Sequence, residues 1–184
     1  GRQLLEESGP GPDLWAPPRP ARGRASASAR PEYPLADPAA RAALGRFLAP
    51  EARLNAGPWA ARAGASALID LSDGLAADLG HLLERAGVGA RLERAALPRL
   101  RGYDALCATR GWRPEQLILF GGDDYELLLT ISPRRWAAAA PRTSSAKISK
   151  TVIGQVTAEP GVLILADGLR EAVVSPRGWR HTGG

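Results

Sequence analysis

One stretch restricts the fold more than any other: Ala67-Leu68-Ile69-Asp70-Leu71-Ser72-Asp73-Gly74-Leu75-Ala76-Ala77-Asp78-Leu79-Gly80-His81. Residues 65–71 alternate as a strand does, which puts Asp70 and Ser72 on one face and Ile69 and Leu71 on the other. Asp73 sits at the corner. From Leu75 the apolar positions Leu75, Leu79, Leu82, Leu83 and Ala86 recur at helical spacing, and Gly87 supplies a stop. Three oxygen-bearing side chains are thus expected where a strand feeds a helix.

The ordinary explanation of such a corner is helix capping, since Ser and Asp are preferred before a first turn and the helix dipole favours an acid there. That accounts for Ser72 or Asp73 but not for Asp70, a carboxylate at the end of an apolar run. Burying such a group is costly unless a charge or hydrogen bond meets it, and hard cations are a common reason for gathering carboxylates. The sharper expectation is a Mg²⁺–phosphate site.

A chain of 184 residues can bury one moderate core. Its net charge of +5 is carried by arginines scattered along the chain, with Lys147 and Lys150 the only lysines. A nucleic-acid surface would require a basic stripe with motif support, so no such partner is expected. Cys107 is the single cysteine, and no long apolar span is present. Neither an internal disulfide nor a membrane role is expected, and a reducing, cytoplasmic setting follows. With no methionine and a glycine at position 1, the chain reads as a fragment.

Residues 1–32 hold Gly9-Pro10-Gly11-Pro12 and Pro17-Pro18 without sustained periodicity and read as an irregular or disordered leader; residues 33–184 read as one domain. Asp37-Pro38 has the form of an N-cap followed by proline at the first helical position, opening a helix that ends by Pro50. A second helix is expected over residues 55–63, closed by Gly64. After the central strand and helix, residues 88–93 alternate as a half-exposed strand, and residues 102–110 and 113–119 are compatible with helices. Gly121-Gly122-Asp123-Asp124-Tyr125-Glu126 is the second concentration of acid, opening a strand over residues 125–131; its paired glycines imply a backbone brought close to a ligand. A short helix near residues 133–140 and a polar loop over 142–149 follow. Residues 150–156 and 161–165 read as strands, and Asp167-Gly168 as a hairpin turn. Elements alternate irregularly, so the expected class is α+β, a mixed β-sheet covered by helices.

Several chemistries lack their motifs. There is no Walker-type phosphate loop, no dinucleotide Gly-x-Gly-x-x-Gly and no Cys/His set at zinc spacing. His81, on the polar face with Asp78, Glu84 and Arg85, reads as a solvated histidine. A nucleophilic Ser72 would need an elbow motif that is not there.

The segment Ile69-Asp70-Leu71-Ser72-Asp73-Gly74-Leu75 resembles the Asp-x-Ser-Asp-Gly-Leu segment of the thiamine-monophosphate kinase family. Gly121-Gly122-Asp123-Asp124-Tyr125-Glu126-Leu127 resembles its Gly-Gly-Glu-Asp-Tyr-Glu-Leu segment, and Gly178-Trp179-Arg180-His181 its Gly-aromatic-Asp-His-Phe ending. The resemblance runs from about Pro34 to the C-terminus. It implies the C-terminal domain of a fold shared with aminoimidazole ribonucleotide synthetase, and the ATP-dependent phosphorylation of thiamine monophosphate to thiamine diphosphate. Carried over, Asp70 and Asp73 are Mg²⁺ ligands, Ser72 an ATP contact, and Asp123 and Trp179 contacts to thiamine monophosphate. It also implies a homodimer in the full-length protein, and an N-terminal ATP-binding domain that residues 1–30 do not resemble, so the chain alone is expected to be inactive. Asp123 stands where the family usually has glutamate, and Arg180 replaces an acid. The alternatives are a related superfamily kinase or synthetase with another phosphate acceptor, and a truncated, non-catalytic module.

Overall fold

The computed structural model describes residues 37–139 and 148–175. Helix α1 (Pro38–Leu48) opens as the Asp37-Pro38 signature predicts: the Asp37 carboxylate accepts the Ala39 N–H at 2.8 Å, with proline in the first turn. Helix α2 (Ala56–Ala63) closes on Gly64, which adopts φ +78° in the left-handed region that favours glycine. Strand β1 (Ala67–Asp70) leads into helix α3 (Leu75–Ala86), which ends on Gly87. Strand β2 (Gly89–Glu93) and a 3₁₀ turn come next, then helices α4 (Tyr103–Arg110) and α5 (Pro114–Phe120). Strand β3 (Leu127–Thr130), helix α6 (Pro133–Ala139) and strands β4 (Gly154–Thr157), β5 (Leu163–Asp167) and β6 (Arg170–Val173) complete the order.

The class is α+β, and the strands form two sheets rather than one. β1 and β3 pair antiparallel, with Asp70 opposite Leu127. The other sheet has the order β4-β2-β5-β6 and is mixed: β2 and β5 run parallel, while the β2/β4 and β5/β6 pairs are antiparallel. The final hairpin turns one residue later than its sequence signal, through Gly168-Leu169, because Asp167 pairs with Arg170.

The main core is built where α3 packs between the sheets. Leu75, Leu79 and Leu83 of α3 meet Leu92 of β2, Leu119 of α5, Leu128 of β3 and Leu163 of β5. Each such leucine withdraws enough apolar surface to contribute about 2 kcal/mol. The next residue of β3, Leu129, points the other way into a second cluster with Trp59, Trp136 and Ala139. The pleat of a four-residue strand therefore serves two cores. In the second cluster the two indoles meet edge to face, and the Lys150 ammonium lies 4.5 Å from the Trp59 ring centroid and 5.4 Å from that of Trp136. Burial lowers the Lys150 pKa. None of the described helices is long and apolar enough to cross a membrane.

Candidate functional site

The strand-to-helix corner forms as its pattern predicts, but its parts are held differently. Asp70 ends β1 on the exposed face, beside inward-facing Ile69, so the cost of burying a carboxylate in an apolar strand does not arise. Ser72 and Asp73 lie half-buried in the turn. Neither is the N-cap of α3. That position is taken by Gly74 at φ +108°, with no side-chain capping bond. A Cβ at Gly74 would stand 2.9 Å from the Gly121 carbonyl oxygen, so glycine is required there both for its backbone angle and for space.

Asp78 holds the turn instead. It is 3% exposed, not a member of the solvated helix face, and its Oδ2 accepts the backbone N–H groups of Ser72 at 2.9 Å and Asp73 at 3.1 Å. The sequence carried a signal for this. Asp78 falls three residues after Leu75 and four before Leu82, inside the apolar stripe. His81, by contrast, is exposed as expected.

The second acidic segment docks directly on this corner. The Leu71 N–H donates to the Glu126 carbonyl at 2.9 Å, the Tyr125 N–H to the Leu71 carbonyl at 2.8 Å and the Asp123 N–H to the Ser72 carbonyl at 2.9 Å. These bonds carry the β1/β3 contact past the end of the ladder. The strand itself begins at Leu127, not Tyr125, because Asp123 and Tyr125 adopt φ +63° and +49°, outside the extended region. The paired glycines do bring backbone close within this chain: a Cβ on Gly122 would lie 2.5 Å from the Ser72 carbonyl oxygen.

Within the loop, the Tyr125 hydroxyl donates to Asp123 Oδ1 at 2.9 Å. The Tyr125 phenol pKa is raised, first by that bond and the Asp123 charge, and further by the charge of Asp70. Asp70 and Asp123, 53 positions apart by their numbers, therefore act on the same hydroxyl. The Asp124 carboxyl is also pushed up, chiefly by desolvation, then by the Glu126 carboxylate, with Arg46 opposing. Glu126 is held by a two-pronged contact from Arg53, Nε to Oε2 at 2.9 Å and NH2 to Oε1 at 2.5 Å. Nothing in the sequence links Arg53 to Glu126.

The structure thus brings Asp70, Ser72, Asp73 and Asp123 to one end of the molecule. Trp179, the remaining predicted contact, lies outside the described residues. Among the described residues no three His, Cys, Asp or Glu side chains converge closely enough to enclose a metal by themselves. The donor set still suits Mg²⁺, which favours oxygen ligands and commonly takes one or two carboxylates with substrate phosphates and water.

No family model matches the chain. Among curated proteins, it is 37% identical over 117 residues to the thiamine-monophosphate kinase of Aquifex aeolicus, covering 64% of this chain and 34% of that protein. It is 39% identical over 127 residues to the Escherichia coli K12 enzyme, covering 67% and 37%, and 32% identical over 156 residues to that of Synechococcus elongatus, covering 82% and 45%. The chain therefore spans less than half the length of these relatives. Among solved structures it is similar to one described as AaThiL complexed with AMPPCP and TMP, with TM-score 0.64, 32% identity, and coverage of 83% of this chain and 44% of that one. A structure of thiamine monophosphate kinase from Aquifex aeolicus gives TM-score 0.60 at 33% identity, covering 74% and 42%. Hydrogenase maturation protein HypE, at 17% identity and TM-score 0.53, shares the fold alone. Over the residues matched, with the two acidic segments joined as described, the chain belongs to the thiamine-monophosphate kinase family.

Proposed function

We propose that this chain supplies one wall of an active site that uses Mg²⁺-ATP to phosphorylate thiamine monophosphate to thiamine diphosphate. The observation that carries this reading is the docking of the acidic loop on the strand–helix corner, which bonds the backbone of Asp123 to that of Ser72 and so brings the two acidic segments together. Family membership supports the choice of reaction, as does the AMPPCP and TMP named for the similar structure.

In this reading Asp70 and Asp73 hold Mg²⁺, and Ser72 contacts the nucleotide. Asp123 meets thiamine monophosphate, with Trp179 stacking on its cationic ring. Bound Mg²⁺ supplies neutralisation of the negative charge on the phosphates. The chain's own residues then position the reactants. Asp123 is fixed through its N–H to Ser72 and its carboxylate to Tyr125, so substrate and metal ligands share one rigid frame. Phosphoryl transfer asks chiefly for such positioning and charge neutralisation, not for a covalent nucleophile. The reading includes a second wall supplied by an ATP-binding domain, which is why the isolated chain is proposed to be inactive.

The test is Mg²⁺- and ATP-dependent formation of thiamine diphosphate by the chain mixed with the ATP-binding half of a relative. We expect turnover by the mixture and a loss of at least about 100-fold on Asp70→Ala. No turnover by the mixture, together with full activity of an intact relative carrying the equivalent substitution, would count against the assignment. Binding of Mg²⁺-ATP without any conversion of thiamine monophosphate would favour a superfamily member with another acceptor.

A further inference from the structure

Helix α1 is poorly covered for its sequence. Of its 11 residues only Ala39, which lies against Gly102 at the start of α4, is buried. Phe47 and Leu48 at its end are 65% and 69% exposed, and Leu54 in the loop that follows is 79% exposed. A helix shorter than about 12 residues is marginal in water unless an apolar face is packed. Exposed apolar side chains that cluster, rather than stand singly, mark contact surfaces.

This patch borders the acidic loop. Arg46, just before Phe47, reaches Glu126 Oε1 at 3.6 Å, the oxygen that Arg53, just before Leu54, already holds at 2.5 Å. Arg53 is also paired with Glu51, so both nearby glutamates are engaged. The Arg46 side chain remains 64% exposed, and Arg41, earlier on α1, is exposed as well. The rim of the patch is therefore positive. A symmetric pairing of two copies would turn the patch on itself and set like charges together. An occupant with an apolar centre and carboxylates around it fits better.

More than half the length of the curated relatives lies outside the stretch that this chain matches. The reading above also requires a second wall facing the acidic corner. We propose that Phe47, Leu48 and Leu54 are the seat of that wall: the ATP-binding half docks an apolar surface on the end of α1 and its carboxylates on Arg41 and Arg46. The two walls then meet at the edge where Arg53 anchors the acidic loop through Glu126. This rests on the two-walled reading of the active site, and adds the place where the walls join.

The experiment uses a hybrid in which this chain replaces the matched 45% of the Synechococcus elongatus kinase. It carries a photo-crosslinking label as Phe47→benzoylphenylalanine or, as the control, Leu169→benzoylphenylalanine; Leu169 lies fully exposed at the tip of the β5/β6 hairpin. Mass spectrometry should find the label at position 47 joined to the relative's own part, and that at position 169 not. In the 184-residue chain mixed with the separate ATP-binding half, Phe47→Ser with Leu48→Ser should raise the dissociation constant at least about tenfold. Leu169→Ser should leave it unchanged. If the hybrid does not fold, the mixture carries the same labels and is read in the same way.

Links from position 47 to a second copy, to this chain's own residues or to nothing overturn the inference, as does an unchanged dissociation constant or no association at all. Turnover is read separately. Links to the relative's part without any formation of thiamine diphosphate leave the seat standing and count against the reaction assigned, whereas turnover without such links sinks the seat alone.

Discussion

The two ends of the main core are stabilised by different means. At the β4-β2-β5-β6 sheet, side chains do the work: Leu163 is 1% exposed and Ala166 fully buried, while the outer face carries ion pairs from Arg91 to Glu93 and Glu171. At the corner and its docked loop, backbone does it. Three main-chain bonds, two glycines in close contact and one buried carboxylate fix the arrangement. A structure held by many apolar contacts relaxes around a polar change on its surface. One held by backbone contact has no such slack, so even a single added methyl group there should displace the loop.

The largest effect is expected from Leu163→Ala, which leaves a cavity between β5 and α3. Chemical denaturation should show a loss of about 2–5 kcal/mol, with Mn²⁺ affinity at the corner unchanged wherever the variant remains folded. If affinity fell as steeply as stability, the two ends would be one cooperative unit and the contrast would fail. Next comes Gly122→Ala. The added Cβ would meet the Ser72 carbonyl oxygen at 2.5 Å, and since that atom is backbone the loop must move away. We expect about 1–3 kcal/mol of destabilisation, with faster amide exchange at Asp123 and Tyr125. Unchanged exchange would show that the docking does not depend on glycine.

That contrast also explains what was legible in the sequence. Elements set by side-chain periodicity and caps came through: the helix of Leu75, Leu79 and Leu83, the Asp37-Pro38 start, and the Gly64 and Gly87 stops. The acids of the candidate site drew attention because polar groups stood out against apolar runs. How they are held could not. Arg53 meets Glu126 across 73 positions, and local periodicity carries no information about so distant a partner. The strand predicted from Tyr125 begins at Leu127 because alternation cannot report a positive φ. The division into two sheets was hidden for a related reason, since β2 pairs with β4 and β5 rather than with a sequence neighbour.

Smaller effects test how far the contrast extends to charges. Arg53→Gln removes the two-pronged partner of Glu126, but the two side chains are 31% and 42% exposed, so solvent screening limits the loss to about 1 kcal/mol or less. Because this pair anchors the loop, exchange at Tyr125 should quicken more than global stability falls. Glu171→Gln, on the sheet face, should cost no more than about 0.5 kcal/mol and leave exchange at the corner unaltered. Equal responses at the two ends would mean that Arg53 is only a surface ion.

The last prediction concerns the sign of a single charge. The Asp124 carboxyl has its pKa raised in the folded chain, by desolvation and then by Glu126, so the folded state holds that proton more firmly than the unfolded state does. The stability it contributes is present below the ordinary carboxylate pKa and is lost as pH climbs from there through the raised folded value. At neutral pH the ionised group is therefore expected to be a small liability, in the loop that docks on the corner. Asp124→Asn should raise Tm modestly at about pH 7, and the gain should disappear near pH 3, where the native carboxyl is protonated as well. A gain of the same size at both pH values would mean that packing is responsible. A loss at neutral pH would mean that Arg46, which opposes the shift, outweighs burial and Glu126, and that this loop is held by charge as well as by backbone.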